Sequence, residues 1–271
     1  MEKLRKIAIS VILSCLLITG CSDTSTEDNV KNVPAGTEIT STNEAINIYL
    51  DGIENNDRYI QFYTGNEFNA EDAVSAVSRK AVQAKKNYAM CNVSGCTMTT
   101  TKRDDGYTEV TIEMRYYMSK EEYDYVDTRV SQIAQYLKKD TDYETYRAVY
   151  EWVCTHVQYD YDTVNGDADR FSAYHALKEG KAVCYGYSAL FQKFCDVLGM
   201  ECMVLTSLDD TAHAWNVVKL DGEYYHVDCT FGTTASKEVP DWRYFLCGQD
   251  KIKYGSGYGV TLARESYTKE K

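Results

Sequence analysis

Three residues in the second half of the chain have the types needed for acyl chemistry: Cys184, His213 and Asp228. A thiol supplies a nucleophile, an imidazole moves its proton, and a carboxylate fixes the imidazole in one tautomer. Cys184 lies in "GKAVCYGYSALFQKFCDVLG", residues 180–199. Leu190, Phe191, Phe194 and Leu198 recur there at helical spacing and Gly199 supplies a stop, so the segment predicts a helix with Cys184 in its first turn. Unpaired amides and the helix dipole favour an anion at that position, which eases ionisation of a thiol whose ordinary pKa is about 8.5. A small apolar residue covering the helix start is the competing explanation for a cysteine placed here.

The histidine and the aspartate belong to one expected hairpin, "AHAWNVVKLDGEYYHVDCTF", folded at Asp221-Gly222, a dipeptide suited to a two-residue loop. Counting back from that loop, Leu220 faces Glu223, Trp215 faces Asp228 and His213 faces Thr230. His213 and Asp228 are then diagonal neighbours on one face, roughly 7 to 8 Å apart at the backbone, a separation that side chains can bridge. The same count sends Cys229 to the opposite face. His226 shares the face of Asp228 and is the rival base, but it lies nearer the turn, where a structural role is the simpler reading. His156 suits the C-terminal end of a helix and His175 the interior of a short one, so neither requires a role in chemistry. Trp215 would suit a wall beside the site, but a strand tryptophan is more often core, and it stays unassigned.

"KAVCYGYS", "HAWN" and "YYHVDCT", in that order and spacing, resemble the transglutaminase-like superfamily, relatives of papain-type thiol enzymes. "YEWVCTHVQYDYD" and "SAYHALKEGKAVC" extend the resemblance upstream, so it covers about residues 142–231 and reaches toward "DWRYFL". It implies an α+β, papain-like core with the catalytic cysteine at a helix N-terminus packed on an antiparallel sheet. It also implies Cys184 as nucleophile, His213 as general base and acid, and Asp228 as orienting carboxylate. The implied chemistry is attack on a peptide or glutamine carboxamide carbonyl, a thioester, and release to water or to an amine. Hydrolysis is slightly favoured, because nothing in the sequence shows a dedicated amine pocket. The backbone amide of Cys184 would be one oxyanion donor, and the sequence does not identify the second. A non-catalytic surface binding or scaffold module that keeps the fold is the alternative, since fold does not guarantee turnover.

No cofactor or metal is implied. No C-x-x-C occurs, and in "DYDTVNGD" the glycine falls one place too late for a calcium loop, leaving an acidic loop that would favour cationic substrates. "GSGYG" near the C-terminus follows no clear strand and is not a nucleotide motif. A net charge of −12 with scattered basic residues excludes a groove that tracks phosphates, so nucleic acid is not an expected partner; a protein or peptide substrate is.

The elements that must position the three residues come late in a chain of 271 residues. Residues 1–20 read as a lipoprotein signal peptide: Lys3, Arg5 and Lys6 precede an apolar run over 7–18, and "LITGC" resembles a bacterial lipobox. Cys21 is then lipidated, which predicts an exported, membrane-anchored protein, and the polar residues 21–40 form a tether. Residues 41–118 read as a small α+β domain of unassigned role, with a strand over 58–63, a helix over 70–87 and a hairpin over 96–117 turned at "RDDG". Residues 119–271 read as the domain that carries the transglutaminase-like resemblance. Capping-box spacings at Ser41/Glu44, Ser119/Glu122 and Thr141/Glu144 predict helix starts. Of the ten cysteines, Cys15 would leave with the signal, and Cys91 with Cys96 is the closest of the remaining pairs, although spacing does not set connectivity.

Overall fold

The computed structural model describes residues 16–17, 36–65, 87–162, 168–207, 212–251 and 260–268. The chain divides into two compact units, residues 1–84 with 93–116, and residues 85–92 with 117–271.

In the first unit, helix α1 (Thr42–Glu54) starts where the side chain of Ser41 accepts the amide of Glu44. The capping box is not reciprocal here: the Glu44 carboxylate takes the backbone amide of Thr40, one residue earlier. Strands β1 (Leu16–Leu17), β2 (Thr37–Glu38), β3 (Tyr59–Thr64), β4 (Val93–Lys102) and β5 (Thr108–Tyr116) form one sheet in the order β1-β4-β5-β3-β2. Ile60, Phe62, Val110, Ile112 and Met114 fall on its buried face by period-two alternation. The expected helix over 70–87 lies outside the described residues, apart from Asn87, which opens helix α2 (Asn87–Cys91) of the second unit. Residue 21 and the signal segment, apart from the short strand β1, also lie outside them. Cys91 is a free thiol, so it is not bridged to Cys96.

The second unit is built around one helix. Helices α3 (Lys120–Leu137) and α4 (Asp142–His156) begin at Ser119 and Thr141, whose side chains accept the amides of Glu122 and Glu144. At Ser119 the capping box is reciprocal, which satisfies two amides that a helix start otherwise leaves open. Short strands β6 (Gln158–Tyr159) and β7 (Lys181–Ala182), which precede and follow α5 (Ala173–Lys178) in sequence, pair with each other in parallel. Helix α6 (Cys184–Leu198) is apolar nearly all round, and Tyr187, Leu190, Phe191, Phe194 and Cys195 are completely buried, as expected for a central helix. Gly199 ends it in the left-handed conformation, φ 71°. Strands β8 (Cys202–Ser207), β9 (His213–Leu220) and β10 (Glu223–Val227) form an antiparallel sheet in the order β10-β9-β8 beside it. The Asn216 side chain ties helix to sheet by donating to the carbonyl of Ser188 at 3.0 Å. The result is an α+β fold, helices on one antiparallel sheet.

The hairpin register holds from Leu220–Glu223 to Asn216–Val227, with φ positive at both Asp221 and Gly222, as a two-residue primed turn needs. It does not continue to His213–Thr230. β10 ends at Val227 and the chain enters a single helical turn, α7 (Cys229–Gly232), capped by Asp228.

Candidate active site

Cys184 is the first residue of α6, and no side chain caps that helix start. The preceding strand brings the chain in close: a Cβ on Gly186 would lie 2.8 Å from the carbonyl oxygen of Arg170 and 2.8 Å from Cβ of Ala182. The glycine in "CYGYS" is therefore required by the approach of the backbone beneath the helix start. Among the described residues seven cysteines are free, and Cys184 is the one that is not buried. Burial pushes the thiols of Cys91, Cys202 and Cys229 well up and that of Cys247 to about 12, which makes each a poor nucleophile at neutral pH.

His213 opens β9, and its Nε2 lies 2.7 Å from Oδ2 of Asp228. The Cys184 side chain lies near enough to the ring to act on its titration. With Nε2 held by the carboxylate, Nδ1 is the nitrogen left for sulfur. Burial disfavours the charged imidazole, but the hydrogen bonds and charges of Asp228 and Cys184 outweigh it and raise the His213 pKa to about 9. Asp228 is completely buried. Its Oδ1 accepts the amide of Phe231 at 3.0 Å, and its own amide donates to the carbonyl of Tyr244 at 2.9 Å. Both carboxylate oxygens are thus partnered, and the side chain has no freedom to leave the imidazole.

The departure from extended pairing at Asp228 has a chemical consequence. As a helix cap, Asp228 spends one oxygen on the turn that follows and keeps the other for His213. That turn lays Phe231 over the imidazole with ring centroids 4.6 Å apart and planes 20° apart. Trp215 lies near-parallel to the same ring at 5.9 Å.

His226, the rival base, is completely buried. Its Nδ1 accepts from the indole of Trp215 at 2.9 Å and its Nε2 lies 3.2 Å from the Gln249 amide. Burial lowers its pKa to about 4 despite the charge of Asp228, so it is a neutral link between strands. This also accounts for Trp215, a core residue whose one polar atom is used by His226. His156 stacks on Trp152 at 4.2 Å and bonds its carbonyl at the end of α4, and His175 lies within α5. Cys229 packs beside Cys154, away from the imidazole.

Phe231 and Tyr244 escape a reading based on strand periodicity, because both act only once the chain has left the sheet after Val227. Tyr159 escapes it too. The parallel pairing of β6 with β7 sets it opposite Ala182, and the charge of Cys184 adds to burial in raising the phenol's pKa. Of the acidic loop, residues 163–167 lie outside the described part. No group of three or more metal-ligating side chains is gathered among the described residues.

Residues 131–229, which contain all three side chains, match the family model of the Transglutaminase-like superfamily. This segment belongs to that superfamily. The chain is 31% identical to human Kyphoscoliosis peptidase over 122 residues, which is 40% of this chain and 18% of that protein. It is 32% identical to the mouse Kyphoscoliosis peptidase over 116 residues, 36% of this chain and 18% of that protein. The chain therefore spans less than a fifth of the length of these relatives. A solved structure described as a TGase aligns with 66% of this chain and 52% of its own at 15% identity and a TM-score of 0.37.

Proposed function

We propose that the chain is an exported cysteine hydrolase that cleaves peptide or carboxamide bonds through a thioester at Cys184. One observation carries the reading: a half-buried thiol at an uncapped helix start is linked through His213 to a fully buried carboxylate. The thiolate adds to the substrate carbonyl carbon, and the carbonyl π pair moves onto oxygen. The backbone amide of Cys184, at the helix start, is the proposed donor to that oxygen. As the tetrahedral species collapses, the C–N bond breaks, His213 gives its proton to the departing amine, and the acyl group remains on sulfur. Water then attacks the thioester while His213 takes its proton, the C–S bond breaks, and acid and thiolate are released. Asp228 holds the ring and stabilises the imidazolium without itself taking a proton. The word peptidase in the relatives' name agrees with water as acceptor.

Limiting iodoacetamide followed by mass spectrometry tests the nucleophile: label should appear at Cys184 first, and preferential labelling of Cys195 or Cys229 in the folded protein removes the assignment. A peptide library digested with and without added primary amine tests the acceptor. Free acids in both cases support hydrolysis, whereas amine-linked products in the second make the enzyme an acyl transferase.

The proposal extends to location. A lipid on Cys21 and a polar tether would hold the enzyme at the membrane surface facing away from the cytoplasm. Cys21→Ser should release the protein into the soluble fraction, and continued attachment of the processed variant would refute the anchor.

A further inference from the structure

A second cleft, separate from Cys184 and His213, opens in the same unit. It has a volume of about 470 Å³ and is lined by Tyr143, Arg147, Trp242, Phe245, Leu246 and Tyr267. Its rings form a connected wall: Tyr143 stacks on Tyr267 at 5.5 Å and meets Phe245 at 6.0 Å, and Trp242 meets Phe245 at 5.8 Å. Leu246 is buried at the base, while the four aromatic residues are only partly covered. The Arg147 guanidinium stands 4.7 Å over the Trp242 ring. Among the described residues no carboxylate or carbonyl pairs with it, although Glu144 and Glu151 lie one helical turn away on either side and line an adjoining cleft. Glu144 is occupied by the hydroxyl of Thr141 at 3.1 Å.

We propose that this cleft binds the C-terminal residue of a polypeptide, an aromatic or large aliphatic side chain on the rings and the free carboxylate on Arg147. The physical case rests on what the two parts lack. The aromatic wall retains apolar surface that water covers at a cost, and a planar guanidinium on an aromatic ring keeps donors free for a bidentate carboxylate. A C-terminal residue offers a side chain and a carboxylate on one α-carbon, so a single residue satisfies both. Trp, Tyr and Arg are also the residues on which protein interfaces concentrate their affinity. A polyanion such as nucleic acid fits poorly, because the chain as a whole carries −12. The wall adjoins the site already described: Trp242 and Phe245 flank Tyr244, whose carbonyl holds the Asp228 amide and whose ring meets Phe231 at 5.5 Å.

The test uses the full-length Cys184→Ala protein, so that binding is read without turnover and is independent of the hydrolase reading. A hexapeptide ending in phenylalanine is titrated calorimetrically as the free acid and as the C-terminal amide. The acid should bind at least about tenfold more tightly, the worth of a hydrogen-bonded charge pair. Arg147→Met, which keeps the apolar stem, should abolish the difference, and Trp242→Ala should weaken both peptides. Equal binding of acid and amide overturns the proposal, as does the absence of binding at millimolar peptide. A peptide amide with an internal glutamate that binds as well as the free acid would show an acidic side chain to be the ligand and overturn the C-terminal assignment. Binding that survives Arg147→Met but is lost in Phe231→Ala would move the peptide to the catalytic cleft and also overturn it.

Discussion

Phe231 lies flat over His213, 4.6 Å between ring centroids, and donates its backbone amide to the carboxylate that holds that histidine. One residue therefore contacts both members of the His213–Asp228 pair, with its own side chain about half exposed, at 47%. An aromatic face favours the imidazolium over the neutral ring and keeps water from the hydrogen bond beneath it. Phe231→Ala should lower kcat/KM about three- to tenfold, the worth of an aromatic contact of roughly 0.5–1.5 kcal/mol, and Phe231→Tyr should restore most of it. An alanine variant with an unchanged His213 titration, followed by NMR, would show that the ring has no part in holding the charge.

The raised pKa of His213 gives a pH signature. The imidazolium must donate a proton to the leaving amine, so kcat/KM should fall on the alkaline side with an apparent pKa near 9. Because the folded-state pKa is raised, the charged ring contributes stability that is complete below about pH 6.5 and is lost as pH rises through about 9. Asp228→Asn should move the alkaline limb downward and cut turnover by up to about 10⁴-fold, the loss seen when the orienting aspartate of a Ser-His-Asp triad is changed in the same way. An alkaline limb that stays near 9 in that variant would mean that another group sets it.

His226→Ala should affect stability rather than turnover. The change leaves the buried indole N–H of Trp215 without its acceptor, a cost of about 1–3 kcal/mol. Urea unfolding should record that loss while kcat/KM per folded molecule stays within a few-fold. Abolished turnover in folded His226→Ala, with His213→Ala still active, would reverse the assignment of the base.

Gly186→Ala should damage the helix start. The added methyl group meets the backbone carbonyl of Arg170, which cannot rotate away, so the strain should cost about 1–3 kcal/mol or displace Cys184. Ser188→Ala, two residues on and without such a clash in prospect, is the control: it loses only the Ser188 hydroxyl's bond to the Cys184 carbonyl at 2.9 Å. Equal stability of Gly186→Ala and the wild type in thermal unfolding would show that the backbone gives way at that contact.

Much of this arrangement follows from local chemistry that a sequence displays. The starts of α3 and α4 are written in Ser119/Glu122 and Thr141/Glu144, because a cap is satisfied within four residues. The placement of Cys184 follows from the periodicity of Leu190, Phe191 and Phe194 and from the stop at Gly199. The register from Leu220–Glu223 to Asn216–Val227 follows from Asp221-Gly222, since a two-residue turn fixes every later pair by counting. Counting fails where the chain stops being a strand. The Asp228 cap on the Phe231 amide is local, but a lone aspartate in "VDCTFG" does not by itself end a strand, and the turn of α7 is also held by the Asp241 amide donating to the carbonyl of Gly232 and by the carbonyl of Tyr244 accepting from the Asp228 amide. Those partners are remote in sequence. His213 on β9 and His226 on β10 share one face of the sheet by period-two alternation, and the sequence ranks His226 second only because it lies nearer the turn. Only the tertiary structure, by burying His226 between Trp215 and Gln249 and leaving His213 beside sulfur, gives two identical side chains pKa values of about 4 and about 9. The physical reason is that a titrating group responds to desolvation and to charges around it in space, and those are set by packing rather than by position along the chain.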